Sequence, residues 1–407
     1  MRKVVPLATK LTSFASAADS VAETLEVTLT TKRVQRLTER IGSERVTQRE
    51  AAVASWEALP LVEKLAAPAG VKAPARVGVS CDGGRMQRCD LPEDAKSHWC
   101  ETKVGVLMEL EADSHDIDPC PHVPDKFLDL VQMEKVTREI KGSMAKGSKF
   151  ARHDAASAIV ESRSIESAGA VAAAREPVVA EPPEVKQRDV VASLANSETF
   201  GRQLAAQAWL LGFAAAVVKA FIADGSSTNW GIWQRYFKHL GFVPILDFIH
   251  ALTYVFAAAM AGWSREEGAA VYVRWITWVW QGQVVRVIAE LAARAAELGA
   301  PPPDAGETDP RQILAETLTY LTNQQSRMNY PKYRQEGLPI TSSHVESTVK
   351  QINHRVKGSE KFWSESGAEA LLQLRADQLS DTAPLNLFWA QRAQQTSGTR
   401  THKRTAA

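Results

Sequence analysis

Three acidic residues stand where a chain could gather them around divalent ions. Asp82 follows Val77-Gly78-Val79-Ser80-Cys81, Asp224 follows the apolar Val217 to Ala223, and Glu346 lies three residues past Ser343. Phosphodiester cleavage requires hard oxygen ligands that hold two such ions roughly 4 Å apart, one activating the attacking oxygen and one steadying the leaving oxygen. Two carboxylates at neighbouring strand ends, with a third descending from a helix, would meet that requirement. Each also has a plainer account. Asp82-Gly83 and Asp224-Gly225 are ordinary turn dipeptides, and Ser343 with Glu346 has the spacing of a capping box.

The elements that would position these residues follow from periodicity. Residues 76–247 alternate strand and helix: Val77 to Asp82 is strand-like and ends at Gly83-Gly84, and a second strand holds Val104, Val106 and Met108. A helix from about Phe200 to Ala216 leads into the strand before Asp224, and Val243, Ile245 and Leu246 form a final strand. Such alternation predicts an α/β layer. Within it, 111–195 breaks the pattern, and its Ala/Val/Glu/Pro part from Ala155 to Val185 reads as a loosely ordered insertion. Residues 248–328 read as an all-helical insertion, with Tyr272, Trp275, Ile276 and Val279 at core spacing; 329–396 complete the domain, and 397–407 form a basic tail.

Ahead of this layer, residues 1–58 read as short helices. Leu7, Leu11 and Phe14 share one face, and Val34, Leu37 and Ile41 continue at helical spacing to Gly42. A break at Leu29-Thr30-Thr31, with Thr30 or Thr31 as a cap, gives a helix-turn-helix rhythm. Lys32, Arg33, Arg36 and Arg40 then face outward, suited to phosphates and a major-groove edge. A small bundle with a basic, solvated surface would look the same. Residues 59–75, with Pro60, Pro68 and Pro74, read as a linker.

Composition narrows the class. At 407 residues, 45% hydrophobic and 23% charged, with eleven tryptophans, the chain is long enough for two or three folding units and is not a disordered polymer. The net charge of +1 conceals local excess: Thr31 to Glu50 carries six Lys/Arg against three Asp/Glu, and Arg311 to Ala407 carries thirteen against eight. Cys81, Cys89, Cys100 and Cys120 form no Cys-x2-Cys pair, so reduced thiols in a cytoplasmic protein are expected rather than a zinc site drawn from His98, Cys100, Cys120 and His122. The apolar stretch from Val243 to Gly262 contains Asp247 and His250, which argues against a membrane span, and no export signal is read at the start.

Several blocks together resemble the ISKra-type insertion-sequence transposases, which are DDE transposases. These are Val79-Ser80-Cys81-Asp82-Gly83-Gly84, Ile222-Ala223-Asp224-Gly225, and Ile245-Leu246-Asp247-Phe248-Ile249-His250. The most specific is Gly337-Leu338-Pro339-Ile340-Thr341-Ser342-Ser343-His344-Val345-Glu346 with Arg355-Val356-Lys357-Gly358-Ser359 and Trp363. The resemblance implies a ribonuclease-H-like mixed sheet interrupted by a helical insertion before the last acid, and a triad of Asp82, Asp224 and Glu346 binding Mg2+ or Mn2+. It implies hydrolysis at a transposon end followed by attack of the freed 3' hydroxyl on target DNA. Double-stranded DNA would be the partner, with a homo-oligomer assembled on it. Asp247 and His250 fall where related transposases carry a Cys-x2-His pair, so the second acid lies between Asp224 and Asp247; Asp224 is preferred because Asp247 starts a helix, where an acidic residue serves as a cap. His250, Lys350, Arg355 and Lys357 are the expected DNA contacts near the cut, and Trp363 is expected in the core. The rival expectation is a truncated or domesticated DNA-binding derivative without catalytic activity.

Overall fold

The computed structural model describes residues 2–92, 95, 97–141 and 182–396. The biased stretch from Ala155 falls for the most part outside these residues, as does the basic tail.

The protein is α/β, built on a mixed open sheet of six strands. Strand β1 (Arg76–Arg88) pairs antiparallel with β2 (Trp99–Glu111), which pairs antiparallel with β3 (Glu184–Ser193). On its other side β1 runs parallel to β4 (Val218–Ala223), and β4 runs parallel to β5 (Val243–Leu246), giving the order β3-β2-β1-β4-β5. The short β6 (Phe362–Trp363) pairs with the far end of β1. Alternation sends side chains to two faces. Val77, Val79 and Cys81 of β1 and Leu107 of β2 enter one core, whereas Met86, Val104, Val106 and Met108 enter the other. Strand β4 has no polar face: Ala220, Phe221, Ile222 and Ala223 are all fully buried, as expected of a parallel strand covered on both sides.

Helices cover both faces. Before the sheet come α1 (Val4–Lys10), α2 (Phe14–Leu25), α3 (Thr31–Glu57) and the short α4 (Leu61–Leu65). Helix α5 (Leu130–Lys141) follows β2, α6 (Ser197–Leu210) follows β3, and α7 (Ser227–Ile232) follows β4. Between β5 and the last part of the domain lie α8 (Phe248–Gly262), α9 (Arg265–Trp280), α10 (Val284–Leu298), α11 (Pro310–Gln324) and α12 (Tyr330–Gln335). Helix α12 continues the helical run just beyond the first four, which form the all-helical insertion expected over 248–328. Its aromatic stripe is core, since Trp275, Tyr272 and Ile276 are fully buried and join the first core of the sheet. Helices α13 (Ser343–Val356) and α14 (Glu365–Leu379) cover the second face, and α15 (Pro384–Thr396) ends the described chain. Among the described residues no helix is long and apolar enough to cross a membrane.

The structure departs from the sequence reading in four places. Strand β1 does not stop at Asp82 but continues through Gly83-Gly84 to Arg88, because β2 offers an unbroken antiparallel partner. Strand β3 and helix α5 lie in the region expected to be an insertion: Val190 and Val191 anchor β3, while the polar first half of that edge strand hides it from a periodicity reading. The linker carries α4.

The fourth departure concerns the amino-terminal helices. Thr30 does cap α3, accepting a hydrogen bond from the Arg33 amide, but the helix runs past Gly42 to Glu57. Gly42 sits where α3 crosses α14, and a Cβ there would lie 2.5 Å from the Ala370 carbonyl oxygen. Arg45 is paired with Asp377, and Arg49 with Glu369, so the far half of α3 is part of the same packed body as the sheet.

Candidate active site

At the carboxyl ends of the parallel strands β4 and β5, beside the middle of β1, Asp82 and Asp224 line one cavity, while Glu346 stands with Asp247 and His250, the group among the described residues whose ligating atoms lie within 4.8 Å of one another. Asp82 is a strand residue paired with Val104, so the turn account of Asp82-Gly83 does not hold. Two residues along the same face, Gly84 lets α13 approach: a Cβ there would meet Thr102 Oγ1 at 2.6 Å and Asn353 Oδ1 at 2.9 Å. Asn353 lies seven residues, two helical turns, after Glu346, which places both on one side of α13. The helix therefore lies along the face of β1 that carries Asp82, with Glu346 at its amino-terminal end.

Asp224 ends β4 and the turn after it is tightly held. Gly225 has φ +98°, a conformation glycine adopts without strain, and Tyr320 of α11 lies 2.7 Å from where its Cβ would be. Tyr320 Oη donates to the Asp224 carbonyl at 2.8 Å, and Gln324 Nε2 donates to the Gly225 carbonyl at 3.1 Å. The helical insertion thus fixes the backbone of the second acid. The Asp224 side chain accepts from the Ser226 amide at 2.9 Å and from Asn229 Nδ2 at 3.0 Å, both on Oδ1. Asn229 Nδ2 also donates to the Cys81 carbonyl at 3.3 Å, tying the turn to β1 beside Asp82.

Glu346 is free of the capping role that its spacing suggested. The residue preceding α13 is Ser342 and makes no side-chain cap; its hydroxyl instead lies 3.3 Å from Glu346 Oε1 and donates to Asp247. Asp247 is wholly buried and caps α8, its Oδ1 accepting from the amides of Ile249 at 2.6 Å and His250 at 3.1 Å. Its Oδ2 accepts from the amide of Ser342 at 2.5 Å and from the Ser342 hydroxyl. A carboxylate offers about four lone-pair positions, and Asp247 uses as many. In contrast, Asp82 Oδ2, Asp224 Oδ2 and Glu346 Oε2 receive no hydrogen bond from a described residue; Asp82 Oδ1 takes only the Gly83 amide, at 2.7 Å.

The electrostatics agree with crowding. Burial pushes the Asp82 carboxyl up to about 6, opposed by the Gly83 amide and reinforced by the charges of Asp224 and Glu346. His250 stands inside the cluster rather than on an open DNA-facing surface. Ligating atoms of Asp247, His250 and Glu346 lie within 4.8 Å of one another. His250 Nδ1 is buried without a hydrogen-bond partner, 3.7 Å from Asp247 Oδ1. Burial disfavours its charge, but contact with Asp247 and the charges of Asp247, Asp224 and Glu346 outweigh that and raise its pKa. For Asp247 the balance runs the other way: burial would raise it, and His250 and Ser342 hold it below the usual carboxylate range.

The expected basic contacts divide. Lys32, Arg33, Arg36 and Arg40 are exposed on α3, and Lys350 and Lys357 are exposed on and just after α13. Arg355 is not available to phosphates: it is 1% exposed, and its Nε donates to the Ala8 carbonyl at 2.9 Å. Its guanidinium lies against the rings of both Phe14 and Trp363, and burial lowers its pKa to about 10. Trp363 is buried, as expected, and donates to the Val356 carbonyl. The cysteines are free, and Cys100, Cys120, His98 and His122 do not assemble into a metal site. Sequence reasoning assigned no role to Gly84, Asn229 and Ser342; Asn229 and Ser342 do have partners four or five residues away, but the contacts to Cys81, Asp247 and Asn353 that tie the site together come from remote parts of the chain.

Comparison of the chain with protein-family models, with curated proteins and with solved structures finds no match.

Proposed function

We propose that the protein is a divalent-metal-dependent DNA transposase of the DDE type, with Asp82, Asp224 and Glu346 as its metal ligands. The observation that carries this reading is the unequal use of the acids: three carboxylates from three separate elements each keep an oxygen free, while the fourth, Asp247, is consumed by the fold. Hard oxygen donors in this arrangement suit magnesium or manganese. The element order supports a ribonuclease-H-like reading, since the first acid lies on the central strand, the second ends the adjacent parallel strand, and an all-helical insertion precedes the helix bearing the third.

When bound, the ions supply activation of the attacking oxygen and stabilisation of the leaving oxygen. The chain's own part is positioning. Tyr320, Gln324 and Asn229 hold Asp224; Gly84 seats α13; Asp247 fixes Ser342 and hence the start of the helix that carries Glu346. The mutual repulsion of the free carboxylates gives cation binding a driving force, because an ion between them relieves it. Exposed Lys32, Arg33, Arg36 and Arg40, with Lys350 and Lys357, would hold duplex phosphates.

The test is cleavage and strand transfer on a labelled duplex made from the DNA that borders the gene, with magnesium or manganese. Asp82→Asn and Glu346→Gln should abolish both activities while DNA binding persists. A parent protein that binds these ends and never cuts them would make the catalytic reading untenable and favour a DNA-binding derivative.

A further inference from the structure

A groove leads away from the carboxylates around α7. Its first cavity, about 140 Å³, is lined by Asp82, Asp224, Thr228 and Ile232 among others. Its second, about 230 Å³, shares Thr228 and Ile232 with the first and reaches Gly231 and Arg235. The third, about 470 Å³, shares Ser227 and Gly231 with the second and ends at Arg327. The cavities thus wrap α7, with two acids in the first, Arg235 in the second and Arg327 in the third, which also touches Gly225 beside Asp224.

The chemistry changes along it in a way that suits one anionic chain. Arg235 is exposed and makes no ion pair or hydrogen bond with a described residue. It projects from a π-helical turn, Trp233–Phe237, a conformation frequent at functional sites. Trp230 and Arg327 line the third cavity; behind its surface Trp230 Nε1 and Arg327 Nε are buried without a hydrogen-bond partner, while Arg327 Nη1 donates to the Asn323 carbonyl at 3.1 Å and to Gln324 Oε1 at 2.9 Å. Arg327 is held over the Trp230 ring at 4.5 Å, so its guanidinium is kept in place at the cavity. Between the two ends, Gly231 leaves the groove open: a Cβ there would meet nothing within 4 Å. From Ser227 to Arg235 the helical rise spans on the order of 12 Å, far enough for phosphates beyond the one at the carboxylates. Hydroxyl and guanidinium donors follow one another along these cavities, as successive phosphates of one strand require.

We infer that this groove is the path of a single nucleic-acid strand running from the scissile phosphate over α7, with Arg235 and Arg327 contacting its neighbouring phosphates. The inference rests on the reading of the acids as a phosphodiester-cleaving site. Serine and threonine hydroxyls at Ser226, Ser227 and Thr228 line the middle of the path and donate readily to phosphate oxygens.

The experiment uses the full chain, a fluorescein-labelled single-stranded oligonucleotide of mixed sequence, and calcium to support binding. Arg235→Glu and Gly231→Phe are the informative variants, since one reverses an exposed charge and the other fills open space without touching the core. Each should weaken binding roughly tenfold, and Arg235→Glu should flatten the salt dependence by about one phosphate contact. In cleavage of the bordering duplex, KM should rise more than kcat falls. Variants that bind and cut like the parent would overturn the strand path while leaving the active site standing. Binding that depends on Arg235 and Gly231 in a protein that never cuts would do the reverse. Complete displacement by inorganic phosphate at matched phosphate concentration would identify a simple anion site and also overturn the path. A parent that binds no single-stranded oligonucleotide would overturn the strand path and leave the duplex-cleavage test of the acids to decide the active site.

Discussion

The ends of β4 and β5 lie side by side in the sheet, and each finishes in an aspartate, yet the two residues do different work. Asp224 leaves β4 into a turn whose carbonyls are pinned from α11, and its carboxylate keeps one oxygen without a partner. Asp247 leaves β5 into a helix, and both of its oxygens are filled by the first turn of α8 and by Ser342. Acidity and position at a strand end are thus shared, but Asp247 is wholly buried and Asp224 only half-buried, and the proposed ligand differs from the cap in the lone pairs left over.

The sharpest way to break that comparison is to neutralise each acid in turn. Asp224→Asn should reduce metal-dependent cleavage by about a thousandfold or more, since several kcal/mol of transition-state stabilisation depend on the ions. Its folding stability should hold or rise, because a repelling charge is removed from beside Asp82. Asp247→Asn should do the opposite. The new amide can still cap α8 but turns a donor toward the amide and hydroxyl of Ser342, which costs about 1–3 kcal/mol. Denaturant unfolding and manganese titration together separate the cases. Loss of manganese affinity in Asp247→Asn, with unchanged stability, would show that the cap is a ligand after all.

A smaller effect tests how the third acid is placed. Gly84→Ala adds a methyl that would stand 2.6 Å from Thr102 Oγ1 and 2.9 Å from Asn353 Oδ1. Either α13 lifts from the sheet or β2 yields, at a cost of about 1–3 kcal/mol. Because Glu346 rides on α13, cleavage should fall further than the loss of stability alone explains under conditions where the variant is folded. Activity that tracks only the folded fraction would mean that Glu346 is positioned by Ser342 alone.

Much of the frame was legible from the chain. The apolar run into Asp224, the strand before Asp82 and the helical insertion with its buried tryptophans announce themselves through periodicity, whereas the start of α13 is where expected but without the side-chain cap that its spacing suggested. Other features depend on encounters that periodicity does not encode. Ser342 closes the Asp247 cap across 95 residues, and Arg355 meets the Ala8 carbonyl across 347. Strand β1 continues through two glycines because β2 supplies a partner, and β3 reads as polar because only half of that edge strand is buried. For the acids, residue type gave candidates; the division between Asp224 and Asp247 emerged only when each oxygen could be assigned.

The same division between use and availability governs the bases of α13, with smaller consequences. Arg355 and Lys357 stand two residues apart in a segment that reads as uniformly basic, yet the first is buried against Phe14 and Trp363 and the second is exposed. Arg355→Met should lower stability by roughly 2–4 kcal/mol, through lost packing and unpaired carbonyls, and leave the salt dependence of DNA binding unchanged. Lys350→Ala and Lys357→Ala should leave stability within about 0.5 kcal/mol of the parent. Each should instead weaken duplex binding by a few-fold and reduce the slope of log affinity against log salt by about one. If neither lysine alters the slope, duplex DNA does not cross this end of α13, and the exposed bases of α3 become the place to measure next.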